Sequence, residues 1–77
     1  MNKIEYNIFA WVEVKDGDEF YPDKILVHSY KKKEDAIAAY NNTPIGGVIL
    51  ELLLVEDDGE NVRTLMLKDE TGEYDDL

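Results

Sequence analysis

The chain has 77 residues and no cysteine, and its 18 acidic and 8 basic side chains give a net charge of −10. A chain of this length folds as one small domain, which here has no disulfide to stabilise it. The charge excludes a nucleic-acid or anionic-membrane partner and favours a basic protein surface. The N-terminal residues lack the apolar segment of a signal peptide, and the longest apolar run, residues 48–55, is too short to span a bilayer. We therefore expect a soluble, cytoplasmic protein.

The first predicted element is a half-buried strand over residues 4–14. Apolar side chains occupy every second position, at Ile4, Tyr6, Ile8, Ala10, Val12 and Val14. This period of two is typical of a strand with one face against a core. Phe9 and Trp11 interrupt the polar half of the pattern, so the strand presents two aromatic side chains on its opposite face.

A second strand is predicted after the turn at Asp16-Gly17, because Asp-Gly readily adopts the positive φ of a hairpin turn. It begins near Glu19, is interrupted at Pro22 and resumes over residues 24–30. Proline cannot donate to a strand ladder, so Pro22 indicates an edge, a bulge or a loop.

The remaining elements are one helix and two strands. Residues 32–41 carry apolar side chains at helical spacing, with acidic residues in the first turn. Residues 48–56 are apolar on both faces, which is typical of a central strand. A turn at 57–61 leads into a last strand over 62–68.

The order ββαββ predicts an α+β fold, in which one short helix covers one face of a four-stranded, mostly antiparallel sheet. We expect residues 1–68 to form a single domain and residues 69–77 to form an acidic, flexible tail.

One short helix cannot cover both faces of this sheet. We therefore predict an apolar surface opposite the helix, which is an interface with a partner or with a second copy of the chain. The alternative is that strand curvature and the tail residues Tyr74 and Leu77 cover it. The predicted members are Phe9, Trp11, Ile49, Leu53, Val55, Leu65 and Leu67.

The sequence contains little that supports catalysis. His28 and Ser29 are the only histidine and the only serine, and neighbours in a strand point to opposite faces, so they cannot share a proton. One histidine is too few for a zinc site, and the acidic turns do not fit the calcium-loop pattern. We expect no enzymatic activity, no metal and no cofactor.

Two acidic turns are the candidate partner-binding sites. Spaced carboxylates on a rigid sheet can occupy a surface built for phosphates, and an apolar anchor such as Phe9 or Trp11 would add a desolvated contact. Whether the two turns lie at the same end of the sheet depends on how the helix crosses over. The candidate carboxylates are Asp16, Asp18, Glu19, Asp57, Asp58 and Glu60.

Two blocks of the sequence resemble the phage uracil-DNA glycosylase inhibitors, which are small acidic β-sheet proteins that mimic DNA. Residues 25–30 (Ile-Leu-Val-His-Ser-Tyr) are similar to that family's strand Ile-Leu-Val-His-Thr-Ala-Tyr, and residues 53–61 are similar to its later acidic hairpin. The resemblance implies an acidic, phage-type inhibitor. The chain lacks the family's initial helices and Glu-Ser-Ile segment, so no binding residue is carried over.

These observations lead to two hypotheses. The first is a small, non-enzymatic inhibitor that blocks a nucleic-acid-binding protein by mimicking DNA. The second is a structural or dimerising module, a homodimer through the open sheet face, whose acidity serves solubility. Salt separates them, because mimicry predicts an affinity that falls steeply with ionic strength.

Overall fold

The computed structural model describes residues 3–75 and contains a five-stranded antiparallel sheet with one short helix. The sheet order is β2-β1-β3-β4-β5. The antiparallel sheet and the single helix agree with the prediction, but the predicted strand count of four is wrong. The elements are β1 (Glu5–Asp16), β2 (Glu19–Tyr30), α1 (Lys33–Asn41), β3 (Ile49–Asp57), β4 (Val62–Asp69) and β5 (Gly72–Asp75).

The fifth strand comes from the segment that the sequence assigned to the acidic tail. Asp69 closes a tight turn, since its carboxylate accepts hydrogen bonds from the backbone N–H and the hydroxyl of Thr71. Gly72 then adopts a positive φ of 150°, and Tyr74 pairs with Leu67 of β4. The composition of this segment did not predict a strand, because the segment has no apolar alternation. The chain reverses there through the hydrogen bonds and the glycine of the turn. The predicted flexibility of residues 76 and 77, and an anchoring role for Leu77, lie outside the described residues.

The helix crosses over β1, because β2 and β3 lie on either side of that strand. Both neighbours run antiparallel to β1. The connection through α1 therefore carries the chain back along the sheet, and β3 begins at the same end of the sheet as β2. β3 occupies a central position, as its apolar residues on both faces predicted. Pro22 lies within β2 at the edge of the sheet, where a missing N–H costs no ladder bond on the solvent side. Among residues 3–75 no helix is long and apolar enough to cross a membrane.

The hydrophobic core lies between α1 and the three strands β1, β3 and β4. Helix residues Ala36 and Tyr40 are fully buried against the sheet. Their spacing of four places both side chains on one face of the helix. The sheet contributes Ile8, Ala10, Leu52, Leu54, Leu65 and Met66.

Two β-bulges place on the helix side of the sheet two residues that were predicted to lie opposite the helix. Trp11 pairs with Glu51 and Val12 pairs with Ile49, so Leu50 of β3 has no partner on β1. This extra residue places Ile49 on the helix side of the sheet. A second shift, in β4, buries Leu65 in the core. The prediction that these two residues lie opposite the helix is therefore wrong, because an inserted residue interrupts strict alternation.

The β1–β2 hairpin extends beyond the rest of the sheet as a two-stranded arm. Pairing of β1 with β3 ends at Val12, followed only by a 2.8 Å bond from the Glu13 N–H to the Val48 carbonyl. Residues 14–21 continue without a third strand. The molecule is accordingly elongated, with extents of 48 × 23 × 17 Å.

Candidate binding face

An apolar row crosses all five strands on the face opposite the helix. Cross-strand pairing places Leu26 beside Phe9, Phe9 beside Leu53, Leu53 beside Leu67, and Leu67 beside Tyr74. Directly paired residues share one face of a sheet, and five strands at about 4.8 Å spacing give a row roughly 19 Å long. We call these five residues the apolar row.

The two ends of the apolar row are the most exposed. Leu26 is 55% exposed and Tyr74 is 58% exposed, while Phe9, Leu53 and Leu67 are half-buried. Tyr74 lies in β5 and extends the row instead of folding over it. Val55 lies on the same face and is buried. This face of the sheet therefore presents a continuous apolar surface without a covering helix.

Trp11 lies two residues after Phe9 on β1 and on the same face, at the acidic border of the apolar row. It pairs with Lys24 on one side and Glu51 on the other, and Glu51 pairs in turn with Asp69. A shallow depression of about 410 Å³ lies beside Trp11, which is half-buried. It is lined by Trp11, Pro22, Leu50, Glu51, Asp69, Glu70 and Thr71.

The depression combines one large aromatic surface with three carboxylates and contains no basic lining residue. Hydrogen bonds from the Thr71 hydroxyl and backbone N–H lower the pKa of Asp69 below its ordinary value of 3.8. That carboxylate is consequently charged throughout the neutral range. Among residues 3–75 no three His, Cys, Asp or Glu side chains are grouped so that they could hold a metal ion.

A cation of the chain itself already rests on this face. The Lys24 ammonium lies 4.8 Å from the centroid of the Phe9 ring. This distance is within the range of a cation–π contact. The aromatic side chains of the open face are therefore placed where a basic group can reach them from the solvent side.

The two predicted acidic turns lie at opposite ends of the sheet. Glu5 begins β1 and pairs with Asp57, whereas Asp16 ends β1. Eleven residues at roughly 3.3 Å each place Asp16 and Asp57 about 36 Å apart. The separation follows from the crossover, because β3 begins at the arm end of the sheet and finishes at the other. Asp18 and Glu19 belong to the arm tip with Asp16, while Asp58 and Glu60 belong to the far turn.

The carboxylates of the far turn also hold the turn itself. Asp57 accepts a 2.8 Å bond from the Gly59 N–H, and Asp58 accepts bonds of 2.9 and 2.6 Å from the Glu60 and Asn61 N–H groups. Bonds from the Asn61 backbone, and then from that of Glu60, lower the pKa of Asp58. Part of the accepting capacity of both carboxylates is therefore used inside the turn.

The chain neutralises few of its own carboxylates. Within the described part of the chain one ion pair is present, between Glu56 and Arg63 at 3.8 Å, and Arg63 is largely exposed. An exposed pair of this kind contributes little. Most acidic side chains among residues 3–74 are exposed to solvent.

Sequence reasoning did not identify the surroundings of Trp11. It placed Asp69 and Glu70 in the tail, and it did not select Glu51. The signal that could have identified Glu51 is its position as the one charged residue inside an apolar run on the predicted central strand. Phe9 and Trp11 were selected, and the structure places both on the face opposite the helix.

Comparison of the chain with known protein families, with characterised proteins and with solved structures found no match.

Proposed function

We propose that this chain is a small, non-enzymatic binding protein that occupies the basic, nucleic-acid-binding surface of another protein and inhibits it. Its carboxylates take the place of phosphates. The observation that carries the proposal is the excess of exposed carboxylates at both ends and on the open face of the sheet, where residues 3–75 form a single ion pair. Such a surface attracts basic grooves over long range.

The dimensions of the molecule support a duplex-like role. The acidic turns lie about 36 Å apart, close to the 34–36 Å repeat of one DNA turn. The 48 Å length and the 23 × 17 Å cross-section describe a rod that a groove shaped for nucleic acid can accept. The resemblance of residues 25–30 and 53–61 to the phage inhibitors supports the same function and a phage-type partner.

The test is competition with nucleic acid for an identified partner. Tagged protein is immobilised, bacterial lysate is applied, and bound proteins are eluted first with duplex DNA and then with salt. The proposal expects a nucleic-acid-binding protein in the DNA eluate. The affinity of this partner for the chain should fall about tenfold or more when the salt concentration rises from about 0.05 M to about 0.2 M. A partner that DNA does not displace, or a salt-independent affinity, would contradict mimicry.

A second candidate function is self-association through the open face, and the apolar row favours it. A homodimer that buries five apolar side chains from each copy would be driven by the hydrophobic effect and would respond little to salt. Sedimentation equilibrium at low and high salt separates the two functions. A dimer that persists unchanged at both ionic strengths supports this second function, and a monomer at micromolar concentration excludes it.

A further inference from the structure

We propose that the open sheet face docks an arginine-rich segment of the partner protein, with one guanidinium stacked on Trp11 in the depression that Glu51 and Glu70 also line. The proposal rests on the proposed function in that the partner is basic. It adds the face of the sheet, the anchoring side chain and the chemical group that is recognised.

Lys24 and Phe9 already form a cation–aromatic contact on the open face. The 4.8 Å separation between this ammonium and the Phe9 ring shows that the open face holds a cation against an aromatic surface. Trp11 is the neighbouring aromatic along β1 and lies in a depression without a basic lining residue. Tryptophan is the aromatic side chain that attracts cations most strongly. The site for a second cation on this face is therefore the Trp11 ring.

The negative charge of the depression determines which partner fits. Glu51, Asp69 and Glu70 line the same depression as Trp11, and hydrogen bonds from Thr71 favour the charged form of Asp69. A second copy would bring the same carboxylates against them, and a nucleic acid would bring phosphates. A basic protein segment is the occupant with complementary charge.

Arginine fits this surface better than lysine. Its planar guanidinium stacks on an indole and donates two parallel hydrogen bonds to a carboxylate, whereas an ammonium is a strongly hydrated point charge. The aliphatic part of each arginine side chain can lie along the apolar row, whose members Phe9 and Leu53 are the nearest to the depression.

The experiment uses Trp11 as its own reporter, because it is the only tryptophan of the chain. The full chain is titrated with a synthetic ten-residue arginine peptide and, separately, with a ten-residue lysine peptide of equal charge. Fluorescence of Trp11 and calorimetry are recorded together. We expect saturable binding of the arginine peptide with a change in Trp11 emission, and an affinity several-fold higher than that of the lysine peptide.

Matched double variants locate the site. Glu51→Gln/Glu70→Gln removes two charges beside Trp11, and we expect it to weaken binding of the arginine peptide about tenfold or more. Glu34→Gln/Asp35→Asn removes two exposed charges in the first turn of α1, on the helix side of the sheet, and we expect a loss below about threefold. Neither pair forms a side-chain hydrogen bond in the described structure, and circular dichroism checks that both variants fold. Equal weakening by the two variants, or binding without a change in Trp11 emission, would overturn the proposal.

The indole itself is tested by Trp11→Leu and Trp11→Phe, with calorimetry as the readout. Leucine keeps an apolar surface without a π system, so it should weaken the arginine peptide, and phenylalanine should restore part of the affinity. Equal affinities of the two variants would contradict stacking.

Failure of this inference and failure of the proposed function are distinguishable. If the arginine peptide behaves as expected but DNA displaces no partner from the immobilised chain, the docking face stands and nucleic-acid mimicry fails. If DNA displaces a partner whose affinity is unchanged by Glu51→Gln/Glu70→Gln, mimicry stands and this docking face is wrong. A salt-resistant dimer that excludes the peptide also overturns the inference.

Discussion

The ammonium of Lys68, on β4, donates a 2.8 Å hydrogen bond to the backbone carbonyl of Tyr40 at the end of α1. Lys68 is only 6% exposed, and its ammonium lies 4.6 Å from the centroid of the Tyr40 ring. The last turn of α1 contains no basic residue. A cation from the sheet therefore stabilises the negative end of the helix dipole and joins α1 to β4.

Replacing Lys68 with methionine should lower the free energy of unfolding by about 1–2 kcal/mol. Methionine keeps most of the apolar stem but loses the charge-assisted bond and the interaction with the helix end. Urea unfolding of Lys68→Met and of the exposed control Lys31→Met measures the effect, and the control should stay within about 0.5 kcal/mol of the parent. A Lys68→Met protein as stable as the parent would show that burying the ammonium costs as much as its contacts contribute.

Burial should separate two isoleucines on neighbouring strands. Ile8 is 1% exposed and packs in the core, whereas Ile25 on the edge strand is 44% exposed. We expect Ile8→Ala to destabilise the fold by about 2–4 kcal/mol, because it leaves a cavity, and Ile25→Ala by less than about 1 kcal/mol. The two variants carry the same chemical change, so comparable losses in denaturant unfolding would argue against the positions of β1 and β2 in the sheet.

The turn before β5 should depend on Gly72. Its φ of 150° disfavours any side chain, although no atom would obstruct a Cβ there. We expect Gly72→Ala to cost about 1–2 kcal/mol locally and to speed amide exchange in residues 73–75, without unfolding the core. Glu70→Ala, in the same turn, is the control and should leave this exchange nearly unchanged. Fast exchange of these amides in the parent chain would contradict the fifth strand.

Acid should weaken the far turn through Asp58. The hydrogen bonds from Asn61 and Glu60 lower the pKa of Asp58 below its ordinary 3.8, so the folded state releases this proton more readily than the unfolded chain does. The associated stability is present above about pH 4 and is lost as the pH falls through the folded pKa. Carbon-13 titration of the carboxyl measures that pKa.

Asp58→Asn removes the titrating group and serves as the comparison for the same turn. We expect the stability of this variant to fall less steeply below pH 4 than that of the parent. An Asp58 pKa at or above 3.8 would show that the turn bonds do not favour the charged form in solution.

Local chemistry determined much of this protein from its sequence. Alternation predicted β1 and β3, helical spacing predicted α1, and turn residues predicted both long hairpins, because these signals act between residues close in the chain. The orientation of Phe9 and Trp11 followed from the same alternation. The fifth strand did not follow, since only pairing with β4 gives Tyr74 a place in the sheet.

Tertiary structure decided how these elements meet. The bulges that turn Ile49 and Leu65 to the helix side arise from pairing between strands, which a single strand does not specify. The path of α1 over β1 separated the two acidic turns and brought Glu51 and Asp69 beside Trp11. Residues far apart in sequence became neighbours there because strand order, rather than any local pattern, determines which side chains share a face.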